Sequence, residues 1–280
     1  MNFQFQQLKY NVVYAERAVL TSRWRTDNFK KEALIVPYSR VYLPIAGEAS
    51  YDFFGQHYVL RPGMMLFIPP FARTFAKCDD FCEMYWSNFN CYIGDSNVDF
   101  FSIAQPQFYL PAKDFDFKVN LFEALSELFT SSKQFNKQLA DREIYEANAL
   151  LSLLMLPFLD TVSNNASFHG EQELFFPLLK YITSHPEENY TLASLAKKYH
   201  CHQTYLTNLF KKIYGMPLIK YINRQKLNYS LRLLITTNLP VRTIANRIGV
   251  DSNANFSRLF KKRFGISPSE YRKSSQICIR

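Results

Sequence analysis

The sequence predicts an α+β protein of two domains, with a β-rich N-terminal domain and an all-helical C-terminal domain. Short alternating apolar segments with turn residues between them occupy residues 35–92. A ten-residue helical motif occurs twice near the C-terminus, fifty residues apart. Positive charge is confined to the same region, because residues 171–280 carry 18 Lys and Arg against 6 Asp and Glu, whereas residues 1–170 carry 15 against 18.

The N-terminal domain, residues 1–112, is predicted to be a barrel or a sandwich of short strands. Each expected strand is rich in β-branched or aromatic residues, and turn residues such as Gly47 and Pro69–Pro70 separate the strands. Many short strands at intervals of about ten residues are typical of both architectures. The expected strands are Val41–Ile45, Ala49–Phe53, His57–Leu60, Met64–Ile68 and Glu83–Phe89.

Residues 113–162 change to the helical period and are predicted to form two helices. The first opens at Asp116 or Phe117, and the polar run Ser163–Asn165 closes the second. Their apolar stripes would either cover the strands or pair two copies of the chain. The polar residues 163–171 are the expected linker to the C-terminal domain, residues 172–280.

The repeated motif predicts two helix-turn-helix units, at about 191–215 and 240–265. In each copy the apolar residues fall at i, i+3 and i+4, a Gly ends the helix, and a Tyr follows that Gly by six residues. A shorter apolar-periodic helix, with Thr191 or Pro240 as its start, precedes each copy across a tight turn. The copies run from Leu206 to Gly215 and from Phe256 to Gly265.

The segment between the two units, from Leu218 to about Thr236, is expected to be one connecting helix. At 1.5 Å per residue it would be roughly 27 Å long. Two recognition helices at its ends could lie about one DNA turn, roughly 34 Å, apart. One chain could then contact two successive major grooves.

The outward faces of the two motif helices carry groups that suit nucleic acid. Amide and guanidinium groups can bond base edges bidentately, and lysines suit phosphates as point charges. A plain helical bundle with solvated lysine ends would show the same pattern, but the basic charge of this region favours phosphate binding. The candidate DNA-contacting residues are Gln203, Thr204, Thr207, Asn208 and Lys211 in the first unit, and Asn253, Ala254, Ser257, Arg258 and Lys261 in the second.

The segment Phe175–Arg272 resembles the DNA-binding domain of the AraC/XylS family of transcription regulators. The second unit of that family typically has the pattern Gly-Phe-x4-Tyr-Phe-x-Arg-x-Phe-Lys-x3-Gly-x2-Pro-x2-Tyr-Arg, and Gly249–Arg272 is similar to it. The chain departs from the pattern at Val250 and Asn255, which stand where Phe and Tyr are usual. The resemblance implies binding to double-stranded promoter DNA, cooperation with RNA polymerase, and homodimers formed through the 113–162 helices.

The N-terminal domain resembles the cupin-like β-barrel of sugar-responsive members of the same family, most clearly at Leu60–Pro70. The resemblance implies that this domain binds a small-molecule effector, with a carbohydrate as the expected class. Trp86 lies in a Trp-x-x-Phe segment similar to the family's sugar-contacting strand. The candidate effector-binding residues are Arg25, Arg40, His57, Arg73 and Trp86.

A cupin can also be an enzyme, so a catalytic metal site is an alternative. Catalytic cupins hold their metal with several His residues, but His57 is the only His between residues 1 and 168. One imidazole cannot form a His-rich metal site. We therefore expect no metal, no other cofactor and no enzymatic activity. The cysteines have no zinc-site or disulfide spacing and are expected to be free thiols: Cys78, Cys82, Cys91, Cys201 and Cys278.

The predicted function is a sequence-specific DNA-binding transcription regulator, an activator of carbohydrate-utilisation genes that responds to a small-molecule effector. No stretch of 18 or more apolar residues occurs and the N-terminus has no signal-peptide pattern, so no membrane contact and a cytoplasmic location are expected. A non-specific nucleic-acid-binding protein is a further alternative. Such a protein would bind promoter and random duplex with equal affinity at every salt concentration.

Overall fold

The chain forms two compact units in a computed structural model. The structure describes residues 5–24, 34–94, 98–102, 104, 106–130, 139–165, 171–214, 217–250 and 252–278. One unit consists of Phe5–Asp95 and Asp99–Ala166, and the other consists mainly of Ser167–Arg280. The division falls inside the linker that the sequence predicts at 163–171, most of which lies outside the described residues.

The N-terminal unit contains a five-stranded and a three-stranded sheet, both antiparallel in every described pairing. The strand order is β1-β7-β2-β5-β8 in the larger sheet and β4-β3-β6 in the smaller. The strands are β1 (Leu8–Thr21), β2 (Ser39–Gly47), β3 (Ala49–Phe53), β4 (Gln56–Leu60), β5 (Met64–Ile68), β6 (Phe75–Lys77), β7 (Phe81–Ile93) and β8 (Tyr109–Pro111).

The two sheets share an apolar layer but do not form the closed barrel that the resemblance to cupins implies. Tyr51 of the smaller sheet is 1% exposed and its ring lies 5.1 Å from that of Tyr42 of the larger sheet. Among the described residues, no strand pairing joins one sheet to the other. The edge strands β6 and β8 have three residues each, too few to continue the ladder around a barrel.

Two helices cover the outer face of the larger sheet, namely α1 (Phe115–Thr130) and α2 (Asp141–Asn165). The ring of Phe122 stacks on Tyr85 with centroids 5.9 Å apart, and the ring of Phe158 lies 5.7 Å from Phe67. Covering the strands is therefore one role of these helices. The opposite side of α2 leaves apolar side chains in solvent, with Tyr145 80%, Leu153 41% and Leu156 46% exposed.

The C-terminal unit contains seven described helices, including the two helix pairs that the sequence predicts. Helices α3 and α9 were not foreseen, while α6 spans the residues expected for the connecting helix. The helices are α3 (Glu171–Ser184), α4 (Leu192–Lys198), α5 (Gln203–Tyr214), α6 (Leu218–Thr236), α7 (Val241–Arg247), α8 (Asn253–Phe264) and α9 (Pro268–Cys278).

The repeated motif builds the same aromatic contact twice. In the first copy Tyr221 packs edge-on against Phe210, with ring centroids 5.4 Å apart. In the second copy Tyr271 packs against Phe260 in the same way at 6.0 Å. The Tyr that follows each Gly therefore belongs to the core of its unit, because it closes the next helix onto the motif helix.

Local capping explains where the helices of the two units begin. Thr191 caps α4 through a capping box with Ser194, as its place before the apolar segment predicts. Pro240 precedes α7 with an extended conformation and no side-chain hydrogen bond. Ser252 caps α8 and accepts a hydrogen bond from the amide of Asn255.

The turn of the second helix-turn-helix lies directly on the loop that precedes the first helix-turn-helix. Gly249 has a φ of 67°, and a Cβ at this position would lie 2.6 Å from the carbonyl oxygen of Glu187. The buried Lys226 of α6 crosses the same junction, because its Nζ donates a hydrogen bond of 2.6 Å to the carbonyl oxygen of Glu188. These contacts fix the two helix-turn-helix motifs of the C-terminal unit against each other.

The Gly249→Ala variant should lose about 2–4 kcal/mol of folding stability, because alanine combines a left-handed backbone conformation with a clash against the Glu187 carbonyl. The matched control is Gly265→Ala, which is strained by a φ of 92°, but whose added Cβ would meet no atom of the described residues within 4 Å. The control should lose about 1–2 kcal/mol. Scanning calorimetry of the full-length variants measures both; equal losses would show that the junction is loosely packed.

Candidate nucleic-acid interface and interior polar cluster

The first motif helix, α5, exposes the side chains that the sequence assigns to DNA. Gln203, Thr204, Asn208 and Lys211 are exposed and Thr207 is half-buried. On the opposite side, the structure buries the motif residues Leu206, Leu209 and Phe210. The structure thus brings the five candidates onto one outward face of one helix.

Tyr205 is an exposed residue of α5 that the sequence interpretation missed. Its side chain is 55% exposed and lies on the first turn, between Thr204 and the buried Leu206. An exposed aromatic ring at the start of a recognition helix can contact the methyl group of thymine or the sugar-phosphate backbone. Its place in the repeat, directly before the first inward residue, is the signal that could have identified it.

The second motif helix, α8, presents an equivalent but more basic face. Asn253, Ala254, Arg258 and Lys261 are exposed and Ser257 is half-buried. The structure buries Phe256 and Phe260, as predicted, but leaves Leu259 only partly buried. The Leu259 side chain therefore lies at the edge of the core and not within it.

Asn255 is the second residue of the face that the sequence interpretation missed. It is exposed, and its Oδ1 accepts a hydrogen bond of 3.0 Å from Nη2 of Arg258. Residues three apart on a helix are neighbours on its surface, so the two side chains lie side by side. The sequence identified Asn255 only as a departure from the family pattern.

The connecting helix α6 holds the two faces at a fixed distance. Its 19 residues correspond to a length of roughly 28 Å, and apolar side chains are buried from Leu218 at its start to Leu234 near its end. A helix packed along its whole length cannot bend or slide without loss of core contacts. The geometry therefore suits two motif helices, α5 and α8, that bind one DNA duplex together.

Not every arginine of this unit is available for phosphate. Burial and, to a smaller extent, the neighbouring guanidinium of Arg224 together lower the pKa of Arg263 to about 10. Burial also lowers the pKa of Arg224. These two side chains lie partly inside the fold, unlike the exposed Arg258 and Lys261.

The structure separates the five candidate effector-binding residues. Arg25 lies outside the described residues. His57 is exposed on β4 and its Nδ1 lies 2.7 Å from Oδ1 of Asp52, and Arg73 is exposed beside Phe75. The other two candidates, Arg40 and Trp86, point between the two sheets. Tyr42 belongs to the apolar layer that the sheets share, and it lies two residues from Arg40 on β2 and directly opposite Trp86 on β7. The three side chains therefore lie on the same face of the larger sheet.

Arg40 forms an interior polar cluster with Thr74 and Asn88. Arg40 is 3% exposed, its Nη2 donates to Oγ1 of Thr74 at 2.9 Å, and its Nε has no hydrogen-bond partner among the described residues. Asn88 lies directly opposite Arg40 in the β2–β7 pairing, and its buried Oδ1 also has no partner in the part of the chain that the structure describes. Two steps along β7, Trp86 donates from Nε1 to Glu16 at 3.2 Å. An unpaired donor and an unpaired acceptor thus belong to two residues paired across neighbouring strands, two residues along β7 from the indole of Trp86.

A separate cavity of about 300 Å³ is lined by Gly47–Ser50 and Asp79–Phe81. The carboxylates of Glu48, Asp79 and Asp80 make it acidic, and none of the candidate effector residues lines it.

In the part of the chain that the structure describes, no group of three or more His, Cys, Asp or Glu side chains could hold a metal ion. Cys82 is buried, and burial raises the pKa of its thiol to about 12. The described helices include none that is long and apolar enough to cross a membrane.

Comparison with known proteins identifies the family. Residues 195–274 match a helix-turn-helix domain profile. A stretch of 104 residues is 35% identical to the HTH-type transcriptional activator AarP of Providencia stuartii and covers 37% of this chain and 77% of that protein. The chain belongs to the AraC family of transcription regulators.

Longer matches to AraC regulators extend into the N-terminal unit. The arabinose operon regulatory protein of Salmonella typhimurium is 27% identical over 236 residues, which is 82% of each chain. Several other curated relatives are matched over about half of their length or less. A crystal structure of ToxT from Vibrio cholerae aligns with 96% of this chain and 98% of its own, with a TM-score of 0.54 and 15% identity. The last match shows a shared two-domain α+β fold.

The Arg258→Ala and Lys261→Ala variants should separate specificity from general affinity. Loss of a bidentate guanidinium should cost about 1–3 kcal/mol at a site selected from random duplexes and relax the preference at one base pair. Loss of the Lys261 ammonium should weaken all duplexes alike and lower the slope of log affinity against log salt by about one. Fluorescence anisotropy across salt concentrations measures both effects. Identical behaviour of the two variants would contradict the assignment.

Proposed function

We propose that this AraC-family regulator binds promoter DNA sequence-specifically by placing α5 and α8 in two successive major grooves. The observation that carries this proposal is the pair of equivalent outward faces, polar at the start and basic at the end, joined by the fully packed helix α6. Two such faces at fixed spacing suit a duplex whose grooves repeat every turn, roughly 34 Å. A non-specific binder would need only the lysines.

Within each face we assign base contacts and phosphate contacts by chemistry. Amide, hydroxyl and guanidinium groups near the helix starts can bond base edges, and lysines one turn later can bond phosphates. The proposed base contacts are Gln203, Thr204, Thr207, Asn208, Asn253, Ala254, Ser257 and Arg258, with Ala254 as an apolar contact. The proposed phosphate contacts are Lys211 and Lys261.

We propose that the N-terminal unit senses a small-molecule effector, with a carbohydrate as the first candidate. The interior polar cluster supports this, because one hydroxyl group can accept from Nε of Arg40 and donate to Oδ1 of Asn88 at once. The nearby indole of Trp86 offers an apolar face to a sugar ring. The proposed effector contacts are therefore Arg40, Asn88 and Trp86, whereas His57 and Arg73 point elsewhere.

A carboxylic acid is the second candidate effector. A crystal structure of ToxT from Vibrio cholerae contains a bound unsaturated fatty acid, and a buried guanidinium such as that of Arg40 attracts a carboxylate strongly. The two classes make different demands on Asn88. A hydroxyl needs its Oδ1 as acceptor, while a carboxylate is repelled by it.

We further propose a homodimer formed through α2, which activates carbohydrate-utilisation genes by contact with RNA polymerase. The exposed stripe of Tyr145, Leu153 and Leu156 supports pairing, since a helix that buries this stripe against a second copy removes apolar area from water. Promoter binding places its site of action in the cytoplasm. The competing enzyme function would need a reactive centre, which a metal assay of purified protein tests directly.

Selection of duplexes from a randomised library by the full-length protein tests the DNA-binding proposal. We expect two enriched half-sites one helical turn apart and binding to the selected duplex that exceeds binding to random duplex at each salt concentration. Enrichment of no sequence would contradict the proposal and favour the non-specific alternative.

The Arg40→Met variant tests the sensor. Sugars, sugar acids and fatty acids are screened for a rise in the melting temperature of the wild-type protein, since a ligand that binds only the folded state stabilises it. We expect Arg40→Met to lose that rise and the effect of the ligand on DNA binding, while DNA affinity without ligand stays the same. The exposed Arg73→Gln is the matched control and should keep both responses. A ligand response retained by Arg40→Met would place the effector elsewhere.

A further inference from the structure

The side chains of Asn255 and Arg258 form a pair on the exposed face of α8. The guanidinium donates from Nη2 to Oδ1 of Asn255 at 3.0 Å, and both residues are exposed. In the equivalent positions of the first unit the chain has Tyr205 and Asn208, a pair without a guanidinium. The bond is therefore a property of the second unit alone.

The amide side chain is well placed to orient the guanidinium. Asn255 occupies the first turn of α8, where its backbone amide donates to the capping Ser252 at 3.3 Å, so its own Cα position is fixed by the helix start. A free arginine side chain samples many rotamers, and one hydrogen bond to a fixed neighbour removes a large part of that freedom. Less freedom then remains to be lost when DNA binds.

The same bond decides which base the pair can accept. Oδ1 of Asn255 already accepts one hydrogen bond from Arg258, and the guanidinium beside it opposes the approach of the adenine N6 amino group to the remaining lone pair, so the pair is unfavourable for the donor-and-acceptor arrangement with which asparagine recognises adenine. The other N–H groups of the Arg258 guanidinium remain as donors. Guanine, with O6 and N7 as acceptors in the major groove, is the complementary base.

We propose that Asn255 is a positioning residue for Arg258 and that the pair selects guanine at one position of the second half-site. This rests on the proposed function, in which α8 enters a major groove. Because Tyr205 and Asn208 stand at the equivalent positions of α5, the first half-site is recognised by different chemistry and the binding site is asymmetric.

A double-mutant cycle on base preference tests the proposal with the full-length protein. Duplexes that differ only by guanine or adenine at the selected position are titrated with the wild type, Asn255→Ala, Arg258→Ala and the double variant. We expect Asn255→Ala to lower the guanine-over-adenine preference about three- to tenfold with an unchanged salt slope. In the Arg258→Ala background the same substitution should leave that preference unchanged.

Two further variants separate positioning from a merely structural role. Asn255→Asp keeps an oxygen acceptor for Arg258, so it should retain the guanine preference while weakening all duplexes alike through repulsion of phosphate. Asn253→Ala removes an asparagine from the same turn and should combine additively with Arg258→Ala. Additive behaviour of Asn255→Ala and Arg258→Ala would overturn the inference. A wild type that enriches no sequence would instead overturn the proposed function, and the inference with it.

Discussion

The burial of α6 along its whole length is the constraint on which the DNA-binding unit depends. Each helix-turn-helix is too small to bury its own apolar face, and α6 supplies the surface on which both close. Tyr221 at its start completes the aromatic cluster of the first unit, while Lys226 near its middle joins the loop before α4 to the turn before α8. The distance between the two recognition helices therefore follows from core packing.

This constraint also explains why the two units differ in their outward residues but share their inward ones. The inward positions, such as Phe210 and Phe260, have the same task in both units, namely to pack against the following helix through Tyr221 and Tyr271. The outward positions face solvent in the free protein and are free to specialise. A regulator built in this way has one helical scaffold and two chemically distinct DNA-facing surfaces, on α5 and on α8.

The helical unit could be predicted from the sequence in more detail than the sheet unit, for a physical reason. Helix contacts are local, so the period of apolar residues predicted α5, α6 and α8. The start of α4 was predicted from its capping residue, Thr191. Strand pairing is non-local, so the residues Leu8–Thr21 do not by themselves indicate that they form β1 and pair with β7 along its whole length. Closure into a barrel depends on edge pairing, which the short β6 and β8 do not provide.

The site residues show the same division. Periodicity placed Asn208 and Arg258 outward, but only geometry shows that Asn255 is bonded to Arg258. Composition suggested several arginines for an effector, yet burial distinguishes Arg40, which lies between the sheets, from Arg73, which lies in solvent. Asn88 was absent from the prediction because an amide on a strand has no sequence signal of its own, and its importance appears only in its register with Arg40.

Simultaneous binding of both motif helices at a spacing fixed by α6 is the central claim, and the affinity for operators with altered half-site spacing tests it most directly. The selected duplex is compared with versions that carry 5 or 10 inserted base pairs between the half-sites. The 5-base-pair insertion places the half-sites on opposite faces, and the 10-base-pair insertion restores the face but lengthens the span by about 34 Å. A rigid α6 predicts that both insertions reduce the affinity to that of a duplex with one half-site. Affinity that is unchanged by either insertion would contradict the account.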